Sequence, residues 1–281
     1  MIFEGVMGSA ILSGLLESCT KTEQRGDEPR FTKFIACVNS KGSGEALKSR
    51  YEKYGGRLKV LQQDNIAGMR QADVVILGCK PYMAEKVLTE HGVRDALAGK
   101  LTISVLAGSP VEKLRNFIYH APDPDPKKEC FIARAMPNIA AEFGESMTAI
   151  ETEDLPEELV ELTNWIFQQL GKTTLVASDL YNVASVMAGL SGVLLGVAVD
   201  GILDGAVHEG LKRPQARAIV TQTLRSLARL LEEGNTPDML REKFSSPRGT
   251  TIVALMALEE GRARHTYSDA ILKATHRSRT M

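Results

Sequence analysis

Near the carboxyl-terminal end, Ser245, Ser246, Pro247, Arg248, Gly249, Thr250 and Thr251 set hydroxyls, a cation and a glycine directly before an apolar helical run. Read simply, this is a helix start that Thr250 or Thr251 can cap. Read chemically, the free amides and the positive end of a helix suit an anion, and the hydroxyls complete a carboxylate cradle. A second anion-binding pattern opens the chain. Gly5, Val6, Met7 and Gly8 precede an apolar helical run, and glycine lets a phosphate approach the backbone at such a start. In the spacing Gly-x-Gly-x-x-Gly, Gly5 and Gly8 match the second and third glycines, while Phe3 stands at the first.

Further polar residues follow apolar runs. Asn39, Ser40 and Lys41 come after the run Phe34–Val38, where a dinucleotide fold selective for NAD places an acid for the ribose hydroxyl. No acid stands there, and hydroxyl plus lysine suits a 2′-phosphate, so NADPH is the expected cofactor; the plain alternative is a solvated turn. Lys80 and Pro81, Ala107 and Gly108, and Met136, Pro137 and Asn138 also end apolar runs. Ligands of open α/β sheets bind at that edge, although Pro and Gly end strands in any case. The Asn138 amide can serve a nicotinamide or a substrate. His91, His120, His208, His265 and His276 are isolated, so no metal site is expected.

These residues need a scaffold. Short apolar runs at Phe34–Val38, 57–61, 73–78, 101–106, 130–135 and 147–150 read as strands, and helix-like stretches at 44–54, 64–71 and 82–88 separate several of them. The alternation predicts a parallel sheet covered by helices. Segments 20–30 and 121–128, polar and proline-bearing, are expected to be surface loops. Beyond residue 178 the pattern becomes helical: a long apolar stretch at 179–210, then helices at 214–233, 251–261 and 267–278. The fold class is therefore α/β followed by all-α, with a Rossmann-like domain over 1–178 and a helical domain over 179–281. A helix apolar on most faces, as at 183–207, needs neighbours all round, and the other helices are too few. A second subunit is expected to cover it.

The central strand of the Rossmann-like sheet is expected to be largely missing, since only Met1 and Ile2 precede Phe3. In a 3-2-1-4-5-6 sheet that loss leaves two neighbouring strands with unpaired ladder groups.

Composition narrows the function. Of 281 residues, 43% are hydrophobic and 25% charged, which fits a globular protein. The formal net charge of −1 gives no reason for a nucleic-acid or anionic-membrane partner. Cys19, Cys37, Cys79 and Cys130 are scattered and read as free thiols, Cys37 and Cys79 as buried ones. No run of 18 continuous apolar residues and no basic leader is seen, so a cytoplasmic location is expected.

In order along the chain, five stretches resemble the pyrroline-5-carboxylate reductase family: G-V-M-G-S-A-I-L at 5–12, A-D-V-V-I-L-G-C-K-P at 72–81, T-I-S-V-L-A-G at 102–108, R-A-M-P-N at 134–138, and S-S-P-R-G-T-T-I-V-A-L-M-A-L-E at 245–259. The resemblance implies NADPH-dependent reduction of a cyclic imino acid, 1-pyrroline-5-carboxylate giving L-proline, by an interlocked homodimer or higher homo-oligomer, with NADH as the alternative donor. It places Ser246, Gly249 and Thr250 on the substrate carboxylate and the Thr251 hydroxyl on the ring nitrogen. To the cofactor it assigns Gly5, Val6, Met7, Gly8, Asn39, Ser40, Lys41, Asn65, Lys80, Pro81, Ala107, Gly108, Pro137 and Asn138. The chain departs from the family pattern at its first strand and glycine, at Arg248 where the signature has glycine, and at 188–194, A-G-L-S-G-V-L, which lacks the family's proline and aromatic residue. These departures admit two other readings: a relative that reduces the six-membered piperideine carboxylate to pipecolate, and a non-catalytic dimerising relative.

Overall fold

Eight strands form one sheet in the computed structural model, which describes residues 2–3, 5–119, 128–151, 153 and 155–281. They are β1 (Ile2–Phe3), β2 (Phe34–Val38), β3 (Leu58–Gln62), β4 (Val74–Leu77), β5 (Leu101–Ser104), β6 (Phe131–Met136), β7 (Ser146–Glu151) and β8 (Gly171–Val176), in the order β3-β2-β1-β4-β5-β6-β7-β8. Neighbours run parallel except β6 and β7, which pair Ala135 with Ile150 and Met136 with Ala149 in antiparallel register. The expected all-parallel sheet is corrected there. Only a short 3₁₀ turn, Ile139–Phe143, separates those two strands, too little chain for a parallel crossover.

The central strand is as short as expected, two residues, yet it does not leave its neighbours unpaired. Ile2 pairs with Ala36 on one side and Ile76 on the other, and Phe3 pairs with Cys37. Two residues are enough to join β2 to β4. A cavity of 650 Å³ lies between β2 and β4, lined in part by Phe34, Ile35, Val74 and Ile76.

Helices cover both faces. In chain order they are α1 (Val6–Gln24), α2 (Lys41–Arg50), α3 (Asn65–Gln71), α4 (Ala84–Leu88), α5 (Val93–Leu97), α6 (Val111–Ile118), α7 (Glu157–Gln168), α8 (Ser178–His208), α9 (Arg213–Glu232), α10 (Pro237–Phe244), α11 (Thr250–Glu260) and α12 (Ala263–Arg279). Alternation along the strands feeds two cores: Ile76 joins Ile11, Leu16, Ile103 and Phe167 under α1 and α7, while Val75 and Leu77 join Met69, Leu97 and Leu114 under α3, α5 and α6. Period-2 side-chain placement makes both faces of β4 apolar, as a doubly covered strand requires.

Other expectations shift. Helix α1 runs through Gln24, so the loop expected from residue 20 begins later. The helix expected over 44–54 starts at Lys41 and gives way to a 3₁₀ segment, Glu52–Arg57, where Gly55 has φ +60. Strand β8 and helix α7 were not anticipated. Residues 121–127 of the second expected loop lie outside the described residues.

The chain divides into two compact units: 1–189 with 275–281, and 190–274. In the second, α9 starts with Pro214 in its first turn. Its buried core is small, Leu203, Ala216 and Val220.

Candidate active site

In the first unit the sheet's parallel strands end on one edge, and most of the expected cofactor residues stand there. Helix α1 begins at Gly5, whose backbone lies so close to β4 that a β-carbon would sit 2.8 Å from the Gly78 carbonyl oxygen. Among its caps no side chain accepts from the first turn, and no acidic residue occupies that turn. Those amides therefore have no side-chain cap, and only a glycine at position 5 tolerates the approach of the Gly78 carbonyl. A groove of 780 Å³ brings Gly5 and Val6 together with Ile139 and Ala140, next to Asn138. Gly8 is buried and Val6 exposed. The first turn thus presents an uncapped helix start although Phe3 stands where the fingerprint has its first glycine.

Beyond β2, Ser40 caps α2: its Oγ accepts from the Ser43 amide at 3.1 Å. Lys41 is exposed and 3.9 Å from Glu45, a pair of little strength in solvent. The Gln63 amide donates to the Val38 carbonyl at 2.9 Å, with Gln63 at φ +52, just before Asn65 opens α3. Asp64 caps α3 through the Ala67 amide. Lys80 is exposed and precedes the short turn Pro81–Met83. Burial raises the thiol pKa of neighbouring Cys79 to about 11. Cys79 is half-buried rather than buried, whereas Cys19, Cys37 and Cys130 are buried, and all four are free thiols.

After β5, Gly108 adopts φ +64, and Met281 packs so closely that a β-carbon at 108 would lie 2.4 Å from the Met281 Cβ. Lys113 Nζ donates to the Met281 oxygen at 3.1 Å. Ala107 is exposed beside it.

Asn138 does something other than expected. Its Oδ1 accepts from the Ala140 amide at 3.0 Å, and its Nδ2 donates to the Ala188 carbonyl at 3.1 Å. The carboxamide is committed to tying the end of β6 to α8, within the 188–194 stretch that departs from the family. Behind it lies a cluster that sequence reasoning missed. Arg134 on β6 pairs with Glu151 on β7 at 3.3 Å, with side chains 6% and 7% exposed, which makes this a buried charge pair. The Arg134 guanidinium carbon stands 4.0 Å from the Tyr181 ring centroid, and burial drives the Tyr181 hydroxyl pKa upward. The available signal was an arginine inside the apolar run F-I-A-R-A-M.

In the second unit, the segment 245–251 forms a tight turn and then α11. The Gly249 amide donates to the Ser246 carbonyl at 3.0 Å. Arg248, third in this turn, has φ +61. That backbone region normally falls to glycine, and an arginine there costs on the order of 1 kcal/mol. At Gly249 a β-carbon would meet the Ser246 Oγ at 2.4 Å, which a turn of that hydroxyl relieves, and the Ser246 carbonyl oxygen at 3.1 Å. The cap of α11 is Gly249 rather than Thr250 or Thr251, because Thr250 is already helical; no side chain caps the turn, and no acid occupies it. The hydroxyls of Thr250 and Thr251 are thus not spent on capping. Ser245 Oγ is buried and finds no partner among the described residues. Amides and hydroxyls at this start are free to take a carboxylate, as at α1.

Helix α8 supplies the remaining feature. Its best window has a mean hydropathy of 2.0, and by length and composition it could cross a membrane. Val193, Val197 and Ile202 are exposed along it, with Val253, Met256 and Leu258 exposed on α11.

The comparisons account for both units. Residues 2–108 match the family described as NADP oxidoreductase coenzyme F420-dependent, and residues 178–281 match the family described as pyrroline-5-carboxylate reductase dimerisation. A pyrroline-5-carboxylate reductase of Lophium arboricola is 39% identical over 96% of this chain and 89% of its own length. The crystal structure of the 1-pyrroline-5-carboxylate reductase of Streptococcus pyogenes aligns over 100% of this chain and 97% of that one, with 27% identity and a TM-score of 0.79. That of the Plasmodium falciparum pyrroline carboxylate reductase, with NADP bound, shares the fold at a TM-score of 0.81 and 21% identity, over 99% and 95% of the two chains. The chain belongs to the pyrroline-5-carboxylate reductase family.

Proposed function

We propose that this protein reduces 1-pyrroline-5-carboxylate to L-proline with NADPH, as a homodimer in the cytoplasm, with NADH as a weaker donor. The observation that carries this reading is the 39% identity to a reductase of that name across nearly the whole of both chains. The helix starts at Gly5 and Gly249, with neither a side-chain cap nor a first-turn acid, support it, although the start of α9 shares both features. The functional division falls at 178/179: the first segment serves the nucleotide, the second dimerisation and the imino acid.

The chain's own contribution is positioning and charge. The amides at Gly5, Val6, Met7 and Gly8 hold the pyrophosphate, and Asn39, Ser40 and Lys41 take the 2′-phosphate. Asn65, Lys80, Pro81, Ala107, Gly108 and Pro137 complete the cofactor surface, and Asn138 acts on it by fixing the turn after β6. Bound NADPH supplies the hydride that the imine carbon accepts. Ser246, Gly249 and Thr250 hold the carboxylate, which fixes the ring. The Thr251 hydroxyl donates to the ring nitrogen and steadies its growing electron density, the larger part of the catalytic gain coming from such preorganised donors. The exposed apolar face of α8 is covered by a second copy of this chain rather than by lipid, since it lies within the dimerisation match.

The test is NADPH oxidation by the purified dimer with pyrroline-5-carboxylate and, in parallel, with the six-membered piperideine carboxylate. The expected result is turnover of both with a higher kcat/KM for the five-membered ring. Folded, dimeric protein that oxidises no NADPH with either imine overturns the reading.

A further inference from the structure

Met281 stands on the sheet edge that the proposed function gives to the cofactor. Gly108, after β5, is buried with φ +64, while Ala107 beside it is exposed. Met281 covers it: a β-carbon at 108 would run into the Met281 Cβ and would lie 3.2 Å from the Met281 sulfur and 3.3 Å from its Cγ. The bare backbone of a glycine admits a close neighbour, and here that neighbour is a methionine side chain. Residues 275–281 belong to the first compact unit. They are rooted there by buried Thr275 and by the Ser278 hydroxyl, which donates to Asn182 Oδ1 of α8 at 3.1 Å. Beyond that root Arg279, Thr280 and Met281 are exposed. Lys113 Nζ, on α6, holds this tip by a solvent-exposed hydrogen bond of 3.1 Å to the Met281 oxygen, a weak tether in water. The segment is thus firmly rooted and lightly held.

Strand order decides which part of the cofactor meets Met281. Strand β2, followed by Ser40 and Lys41, lies on one side of β1, and β4 and β5 lie on the other. With the 2′-phosphate beyond β2 and the pyrophosphate at the start of α1, the nicotinamide half runs over β4 and β5 toward Gly108. The space against the Gly108 backbone holds one occupant, so Met281 and the nicotinamide half exclude each other there. We infer that residues 279–281 form an autoinhibitory latch, which covers Gly108 in the free protein and is displaced when the nicotinamide half binds. This rests on the NADPH reading of that edge. A latch of this kind lowers the cofactor's apparent affinity by the fraction of molecules in which it is open.

Calorimetry on the intact protein compares NADP⁺, which spans the edge, with 2′,5′-ADP, which carries only the adenosine and 2′-phosphate half. Wild type, Met281→Gly and Lys113→Met are measured. The first variant clears the side chain from Gly108, and the second removes the tether on residue 281. Relative to 2′,5′-ADP, each variant should bind NADP⁺ about three- to tenfold more tightly than wild type does, as follows if the latch is closed in about two-thirds to nine-tenths of the molecules. The dissociation constant of Met281→Gly for 2′,5′-ADP should equal that of wild type. If both nucleotides bind and their ratio in Met281→Gly is unchanged or falls, the inference is overturned, a fall making Met281 a wall of the cofactor site rather than its competitor. Wild type that binds neither nucleotide overturns the NADPH reading, and the inference with it, so the two failures are distinct.

Discussion

The two compact units handle apolar surface in opposite ways. In the first, Ile11, Leu16, Met69, Leu97, Ile103 and Phe167 are essentially inaccessible to solvent, and strands alternate their side chains between two filled cores. In the second, three residues form the buried core, while Val197, Val253, Met256 and Leu272 are more than 60% exposed. The first unit fills two cores from its own chain, although Val6, Tyr82, Ile139 and Phe143 stand more than 60% exposed on it. The second has the surface of half an interface, since monomeric proteins rarely expose large contiguous apolar patches. The largest effect should come from breaking that half. Val197→Asp combined with Val253→Asp puts two charges on the apolar face. By sedimentation velocity the double variant should be monomeric or aggregated and should lose imine reduction, while NADPH affinity, a property of the first unit, persists. A dimer of undiminished affinity would place the interface elsewhere.

The sequence made the first unit legible wherever strands were buried on both faces. The run Phe34–Val38 is β2 residue for residue, because a continuous apolar run between polar turns has no competing reading. Strand β8, G-K-T-T-L-V, is hard to read because it is an edge strand of mixed polarity with no fully buried residue. A two-residue apolar stretch carries too little pattern to mark a strand, which is why β1 is hard to read in the sequence. In place, its pairing on both sides matters more than its length. At the site, glycine spacing announced the close approach at Gly5. Nothing in the sequence announced that Asn138 spends its amide on Ala188, fifty residues away, or that Arg134 meets Glu151, because such contacts depend on how β6, β7 and α8 pack.

That buried pair gives the next test. Glu151→Ala leaves the Arg134 guanidinium buried without a counter-charge, which costs about 3–5 kcal/mol. The chain's one tryptophan, Trp165, lies on α7 in the first unit, 5.5 Å from the Phe31 ring. Its fluorescence in a urea titration reads the loss. Replacing both partners, Arg134→Met with Glu151→Leu, should recover most of it. If Glu151→Ala unfolds at the wild-type midpoint, the pair contributes nothing and the cluster only fills space.

Glycines sharpen the contrast further. A β-carbon at Gly14 on α1 would stand 2.3 Å from the Ala141 oxygen and 2.5 Å from Leu170 Cδ2, so Gly14→Ala should cost about 1–3 kcal/mol by overpacking. On α8, Gly192, Gly196, Gly201 and Gly205 meet nothing within 4 Å. Each weakens a helix interior by roughly 1 kcal/mol against alanine. A partner backbone packed against them would explain their retention. Gly196→Ala should therefore raise helicity and yet weaken the dimer, seen as a higher dissociation constant. Tighter dimers would show that α8 meets its partner through another face.

The smallest effect separates the units by pH. All four cysteines belong to the first unit, and burial lifts the Cys37 thiol from 9.0 to about 12 and Cys79 from 9.0 to about 11. A raised folded-state value means the native form resists ionisation while the unfolded chain ionises freely. The stabilisation is whole below pH 9 and is lost as pH rises from 9 toward 11 and 12, by at most about 1.4 kcal/mol per pH unit for each thiol. Stability read by Trp165 should fall across that window. In the Cys37→Ala, Cys79→Ala variant the slope should flatten without vanishing, whatever the absolute stability of the variant, because Cys19 and Cys130, also raised by burial, remain. Lysines and tyrosines titrate in the same range in both proteins, so the difference between the slopes isolates the thiols. An equal slope in the two proteins would mean that the thiols ionise as readily in the folded unit as in the unfolded chain, and that the core beneath β2 and β4 is less closed to water than its packing implies.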